Sequence, residues 1–486
     1  MRSTGTADRA AIETKMRERQ DLDPLILDLW AKTRSGRVFA RKAVAEAFAG
    51  HPGLSIRDRE VVVSTLYGML GQARRIEHAW KAGSVGGPDD RAAGHAPTSR
   101  GLLLTYRLLT GALAVEQARR VLPGADWPAV LAADMALIDE ADPVKRIGIR
   151  ASLPDFLVER LLAEYGEETE ALALALGEPP PPMLRVNTIW ASREKVLGQF
   201  AKAGRPARPA RYAETGIELA SYENVFRLRP FAEGYIEWQD EGSQLVCRLV
   251  APPPKGLVID YCAGAGGKTL ALSALMKNAG RLIALDVHEK RLAELRRRAR
   301  RARVSNARTI RLPRADGIGR GEGEAESLAA DLPATSSPSA LRSSETSWPP
   351  ALEALVGRAD RVLVDVPCSG LGALRRKPEM RWRLKEEDLR RLPEEQCAIA
   401  RKAMRLCAPG GRLIYATCTL LADENERVVE VLRAESGFEL MPAKLILGKA
   451  LAGPLTDPSG TFLKLLPHRQ GCDGFFAAVL RRPKTR

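Results

Sequence analysis

No two of the seven cysteines are spaced C-x-x-C, and their number is odd. A zinc knuckle and a disulfide framework are therefore not expected, and the thiols read as free and reduced. No run of eighteen apolar residues occurs, so no membrane span is expected. The opening residues, MRSTGTADRA, are polar and lack the apolar core of a signal peptide. These absences together point to a cytoplasmic protein without a metal centre. Acidic residues are also in short supply: 60 Asp and Glu stand against 75 Lys and Arg, for a net charge of +15. Such a surplus fits a polyanionic partner, nucleic acid first, with plain solubility as the alternative.

At 486 residues the chain is too long for one compact core, and its 45% of hydrophobic residues can fill two or three. Residues 1–22 read as a polar extension and 23–150 as helical. In REVVVSTLYGMLGQARRIEHAW (59–80) the side chains of Val62, Leu66, Leu70, Ala73, Ile76 and Trp80 fall on one stripe at helical spacing, which predicts a core-facing helix. SVGGPDDRAAGHAPTSRG (84–101) reads as a loop. Two further amphipathic helices end at PPPP (179–182), a run that cannot continue a helix. Residues 151–250 read as a small α/β segment. From 251 the period changes: GLVIDYCAG, RLIALDVHE, ARTIRLPRAD, RVLVDVPCSG and RLIYATCTL are short apolar runs, mostly separated by helical segments. That is the pattern of a parallel sheet with crossover helices. GFFAAVLRR (474–482) predicts one more strand, and 317–350, rich in Gly, Ser, Pro and Glu, reads as a disordered insertion.

Two nucleotide motifs are missing from VIDYCAGAGGKTLAL (258–272). A P-loop requires glycine at the position of Cys262, and a dinucleotide turn starting at Gly264 requires it at Thr269. The missing dinucleotide turn argues against a dehydrogenase. What remains is a glycine turn that lets a ligand approach the backbone at the carboxyl end of a strand. Asp286, Asp316 and Asp365 close the next three strands. Each alone could equally be a helix cap. As a set on one rim, with no phosphate grip, they suit an adenosine without phosphates, and S-adenosylmethionine is the common cofactor of that kind.

DYCAGAGGKT, DVPCSG, YATCT and GCDGFFAAVL, with LRVNT (184–188) and WQDEGSQL (238–245) upstream, resemble the S-adenosylmethionine-dependent RNA (cytosine-5)-methyltransferases. The resemblance covers about 151–486. More loosely, the helices of 23–150 are similar to the NusB-like RNA-binding domain of the branch that methylates small-subunit rRNA. The glycine turn here is A-G-A-G-G-K, where many members have A-A-P-G-G-K. The resemblance implies a Rossmann-like α/β methyltransferase domain over 251–486. It implies cofactor contacts from Cys262, Ala263, Gly264, Ala265, Gly266, Gly267 and Lys268, and from Asp286, Asp316 and Asp365. Cys418 would be the nucleophile, Cys368 its helper, and Lys268 would lie on the substrate side of the turn. Asp365 could also hold the target base; the two readings are not exclusive.

The implied reaction is methyl transfer to carbon 5 of a cytosine in RNA, with rRNA as substrate and a monomeric enzyme. A tRNA substrate, or a non-catalytic RNA-binding assembly factor, are the alternatives. Apart from the resemblance, Cys368 and Cys418 read as thiols at the tips of neighbouring strands, set among turn-like and polar residues; buried small hydrophobes are the alternative. The arginines of LRRKPEMRWRL (374–384) follow Cys368 and are expected to grip phosphates near the target base. Trp382 within it reads as a packed side chain, with base stacking as the alternative.

Overall fold

The computed structural model describes residues 22–84, 99–222, 225–313 and 348–484. Asp316, the first 21 residues, 85–98 of the expected loop and 317–347 of the expected insertion lie outside them. The chain divides into two compact units, one running to Pro179 and taking in Leu374–Arg383, the other made of Pro180–Ala373 and Leu384 onward.

The first unit is helical. The expected helix over 59–80 is two helices, Ile56–Gly71 and Ala73–Gly83. Ser55 starts the first with a capping box: its hydroxyl accepts from Asp58 N–H, and its own N–H donates to the Asp58 carboxylate. The break falls at Gln72, whose φ of −119° leaves the helical range, yet Ile76 N–H still donates to Gln72 O. The stripe therefore survives the break, and all six of its side chains are buried.

Two arginines of the segment Leu374–Arg383 depart from expectation. Arg381 is fully buried and donates to Leu176 O, and burial lowers its guanidinium pKa to about 10. Trp382 packs against the helical core with the Arg34 guanidinium 4.7 Å from its ring centre. Arg383 lies 3.7 Å over the Phe39 ring and donates to Gly36 O and Val38 O. Arg381 and Arg383 are thus engaged in packing within this unit rather than free to grip phosphates. The sequence signal failed because a buried arginine and a solvated one look alike in composition.

The second unit holds two sheets. The smaller is antiparallel, in the order β2-β3-β1-β4, from β1 (Met183–Val186), β2 (Ala207–Pro209), β3 (Gly216–Leu219) and β4 (Ile236–Trp238). The larger runs β10-β12-β9-β8-β5-β6-β7 with β11 beside β12. Its parallel part is β5 (Leu257–Asp260), β6 (Arg281–Asp286), β7 (Ala307–Arg311), β8 (Ala359–Asp365) and β9 (Cys407–Thr417). β12 (Phe475–Arg481) runs antiparallel to β9, and the three-residue strands β10 (Glu439–Met441) and β11 (Leu463–Leu465) pair with its other edge. This is the expected Rossmann-like arrangement. β10 and β11 are too short for alternation to reveal them.

The apolar runs are continuous because both faces of the sheet are covered. Ile259, Ile283, Val362, Val364, Leu413 and Tyr415 enter one core, while Val258, Leu282, Leu363 and Ile414 enter the other. Trp348, counted on composition with the insertion, is a buried member of the first core together with Leu312. Among the described residues no helix is long and apolar enough to cross a membrane.

Candidate active site

The carboxyl ends of the parallel strands share one rim, and the glycine turn lies after β5. Gly266 caps the helix Gly267–Leu275 with φ +85°, a left-handed conformation natural to glycine. A Cβ there would also meet Leu295 Cγ at 2.5 Å. At Gly264 and Gly267 an added Cβ would meet nothing within 4 Å, so the turn borders open space. Asp286, at the end of β6, accepts Gly264 N–H at 2.8 Å on one oxygen and His288 N–H at 2.8 Å on the other. Each oxygen keeps a lone pair, as needed to accept ribose hydroxyls. Cys262 stays a thiol, because burial and then Asp286 raise its pKa well above the usual range.

Lys268, second residue of that helix, donates to Asp365 Oδ2 at 2.6 Å, joining the turn to the end of β8. Burial lowers its pKa, but the Asp365 carboxylate, with Cys247 and Cys418, reverses the sign and raises it above the ordinary value. Phe475 of β12 lies 5.3 Å from the ammonium. Cys368 is three residues past the end of β8, and Cys418 directly follows β9. Their sulfurs are 3.4 Å apart. Cys368 is buried and Cys418 partly exposed. The hydrogen bond to Cys418, then burial, then the charges of Cys418 and Glu424 push the Cys368 thiol well up.

Close backbone packing holds this loop. Gly372 N–H donates to Cys418 O at 2.9 Å, Gly474 N–H donates to Gly372 O, and a Cβ on Gly372 would lie 2.3 Å from Gly474 O. The structure thus brings together the glycine turn with Asp286, Lys268 with Asp365, and Cys368 with Cys418.

Several residues of the site escaped the sequence reading. Arg298, from the helix Glu289–Arg301, donates to Ala265 O at 2.8 Å and to the buried Glu237 at 3.0 Å, so it fastens the glycine turn to β4. Nothing distinguishes it in an arginine-rich helix. Glu424 is fully buried behind the two cysteines, and burial raises its pKa against the donors around it. Asp260 closes β5, fully buried; its Oδ2 accepts Thr269 Oγ1–H at 2.7 Å and its Oδ1 has no partner. A charged residue ending the apolar run LVID was a legible signal. Burial pushes its carboxyl up to about 7.

A carboxyl near pKa 3.9 in the unfolded chain and raised in the fold binds its proton more tightly when folded. Its stabilising contribution is full below about pH 4 and is lost as pH rises to about 7. Asp260→Asn is expected to flatten that part of the stability–pH profile, measured by thermal melts between about pH 4 and 8.

S-adenosylmethionine fits this rim. The open glycine turn can admit its backbone contacts, and Asp286 can accept a ribose. The fit agrees with known proteins. Residues 247–318 and 347–481 match the family described as 16S rRNA methyltransferase RsmB/F, which leaves out most of the insertion. Residues 153–226 match the ferredoxin-like domain of RsmF/B-like methyltransferases. A probable ribosomal RNA small subunit methyltransferase B of Bacillus subtilis is 32% identical over 70% of this chain and 69% of its own. The ribosomal RNA small subunit methyltransferase B of Xylella fastidiosa is 30% identical over 90% of this chain and 96% of its own. The solved structure of PH0851 shares the fold, with a TM-score of 0.69 at 23% identity over 94% of this chain and 98% of its own. On these matches the chain belongs to the 16S rRNA methyltransferase RsmB/F family, whose cofactor is S-adenosylmethionine.

Proposed function

We propose that the protein methylates carbon 5 of a cytosine in small-subunit rRNA through a covalent bond between Cys418 and the base. The observation that carries this reading is the pair of thiols, 3.4 Å apart, on the strand-end rim that also holds the glycine turn. Gly264, Gly267 and Asp286 would hold the cofactor, which supplies an electrophilic methyl on sulfonium. Carbon 5 of cytosine is too weak a nucleophile to take that methyl unaided. Addition of the Cys418 thiolate at carbon 6 makes an enamine of the ring and so activates carbon 5. Cys418 suits the attack because it is the more exposed of the two sulfurs. Asp365, held by Lys268, would accept from the exocyclic amine or a protonated ring nitrogen.

Cys368, in contact with Cys418, would assist removal of the carbon 5 proton to solvent; the electron pair of that C–H bond re-forms the ring double bond, and Cys418 leaves as thiolate. The target base must be out of its stack, because attack on carbon 6 comes from above the ring. The helical unit and the positive surplus of the chain would supply RNA affinity.

The test is incubation with small-subunit rRNA or tRNA transcripts and methyl-labelled cofactor, followed by nucleoside analysis. The expected product is 5-methylcytidine from rRNA. Label in tRNA would reassign the substrate, and label in no RNA would leave an RNA-binding assembly factor. RNA affinity is expected to fall at least about 10-fold between 50 and 200 mM salt, as phosphate contacts require; a flat response measured by filter binding would remove the electrostatic part.

A further inference from the structure

The residues next to the two cysteines share one carboxylate. Ser369, following Cys368, donates its N–H to Glu424 Oε2 at 2.9 Å. Thr419, following Cys418, donates its hydroxyl to Glu424 Oε1 at 3.0 Å. The two hydroxyls, Ser369 Oγ and Thr419 Oγ1, are themselves 2.6 Å apart. Gln396, from the helix Glu386–Met404, donates to Glu424 Oε2 at 2.8 Å and to Pro367 O at 3.0 Å. Tyr415 of β9 donates to Glu424 O at 2.6 Å. Ser369, Thr419, Gln396 and Glu424 are all buried.

We infer that Glu424 is a positioning residue that clamps the loop after β8 to the end of β9 and so sets the separation of the Cys368 and Cys418 sulfurs. Three features carry this. The carboxylate bonds directly to the residue after each cysteine, so a shift of either loop breaks a bond to it. Four hydrogen bonds converge in a site closed to water, where each lost partner leaves a buried polar group unsatisfied. Strand register between β8 and β9 ends at Asp365 and Ala416, before either cysteine; beyond it the bond from Gly372 N–H to Cys418 O and the bonds to Glu424 tie the two loops. Glu424 touches no reacting atom; it acts through the backbone beside the thiols. The arrangement also explains why hydroxyl residues follow both cysteines. The geometric part of the inference stands on its own, and its catalytic consequence rests on the reaction proposed above.

The test uses the full chain and two readouts. Phenylarsine oxide condenses with two adjacent thiols, forming two S–As bonds and releasing one water, and so reports sulfur separation without any methyl transfer. Glu424→Ala is expected to slow this capture at least about 10-fold and to lower kcat about 100-fold, the scale expected for a misplacement of about 1 Å, with KM for RNA and cofactor unchanged. Glu424→Gln is expected to restore both, because the amide oxygen can accept from Ser369 and Gln396 while its NH2 donates to Thr419. Wild-type capture and kcat in Glu424→Ala would overturn the inference. If Glu424→Ala does not fold, Ser369→Ala combined with Thr419→Val removes the hydroxyl bridge while leaving the carboxylate with its amide donors; retained capture there overturns the clamp, and lost capture supports it. Arsenical capture that depends on Glu424 in a protein that forms no 5-methylcytidine would uphold the clamp and refute the proposed reaction.

Discussion

Cys418→Ala is expected to abolish methyl transfer, to below about 10⁻⁴ of the wild-type rate, and to form no covalent complex with RNA. Cys368→Ala is expected to behave oppositely in one respect: it accumulates an enzyme–RNA adduct. Both outcomes follow from the unequal surroundings of two thiols in contact. In the proposed reaction Cys418, the more exposed of the two sulfurs, attacks carbon 6 without help from Cys368. Release needs Cys368, because the carbon 5 proton must leave before the Cys418–carbon bond can break. Without Cys368 the methylated base stays bound until water removes that proton slowly. Denaturing gels with labelled RNA read both results: no shifted band for Cys418→Ala, and a strong one for Cys368→Ala. A shifted band from Cys418→Ala would show that the roles are exchanged.

The second large effect concerns Lys268 and Asp365. Their side chains keep only 13% and 27% of their exposure. Removing one partner of such a pair strands the other, at a cost of about 3 kcal/mol. Asp365→Asn is therefore expected to lower the melting temperature by about 6–10 °C and to reduce transfer at least about 100-fold. Its pH response has a definite sign. In the wild type Asp365 holds Lys268 charged, so the pair stabilises the fold at neutral pH and the benefit is lost only in strong base. In Asp365→Asn burial dominates and the folded-state pKa of Lys268 drops below its ordinary value. The unfolded chain then binds more protons, so stability rises with pH towards that value. Lys268→Met is expected to cost less stability, because the more exposed Asp365 can rehydrate, while still losing transfer. An Asp365→Asn protein as stable as wild type, with no such slope, would show that the pair does not set the charge of Lys268.

The parallel strands, the glycine turn and the two cysteines were legible because each has a local signature. Burial on both faces forces an apolar run, a left-handed turn favours glycine, and a thiol beside Pro or Thr at a strand end is unusual in a core. Asp260 was legible in the same way and was overlooked. Arg298 and Glu424 were not, since their roles depend on partners far along the chain: Ala265 and Glu237 for one, Ser369 and Gln396 for the other. For Arg381 and Arg383 the expectation failed for a related reason. Their charges suggested an exposed strip, but Arg381 is accommodated by the carbonyl of Leu176, which no local pattern announces. The break at Gln72 was invisible because the stripe of buried side chains crosses it unchanged.

The position of β12 bears on how the molecule is made. Its residues come after more than 470 others, yet it lies between β9 and β10, and Gly474 just before it props the loop that carries Cys368. A nascent chain, or a fragment, that stops short of Phe475 has an open edge along β9, no ring beside Lys268 and no support under Gly372. Under the proposed reaction, the two thiols would reach their working geometry only once synthesis has passed that strand, and a prematurely terminated product is expected to be inert towards RNA rather than a trap for it.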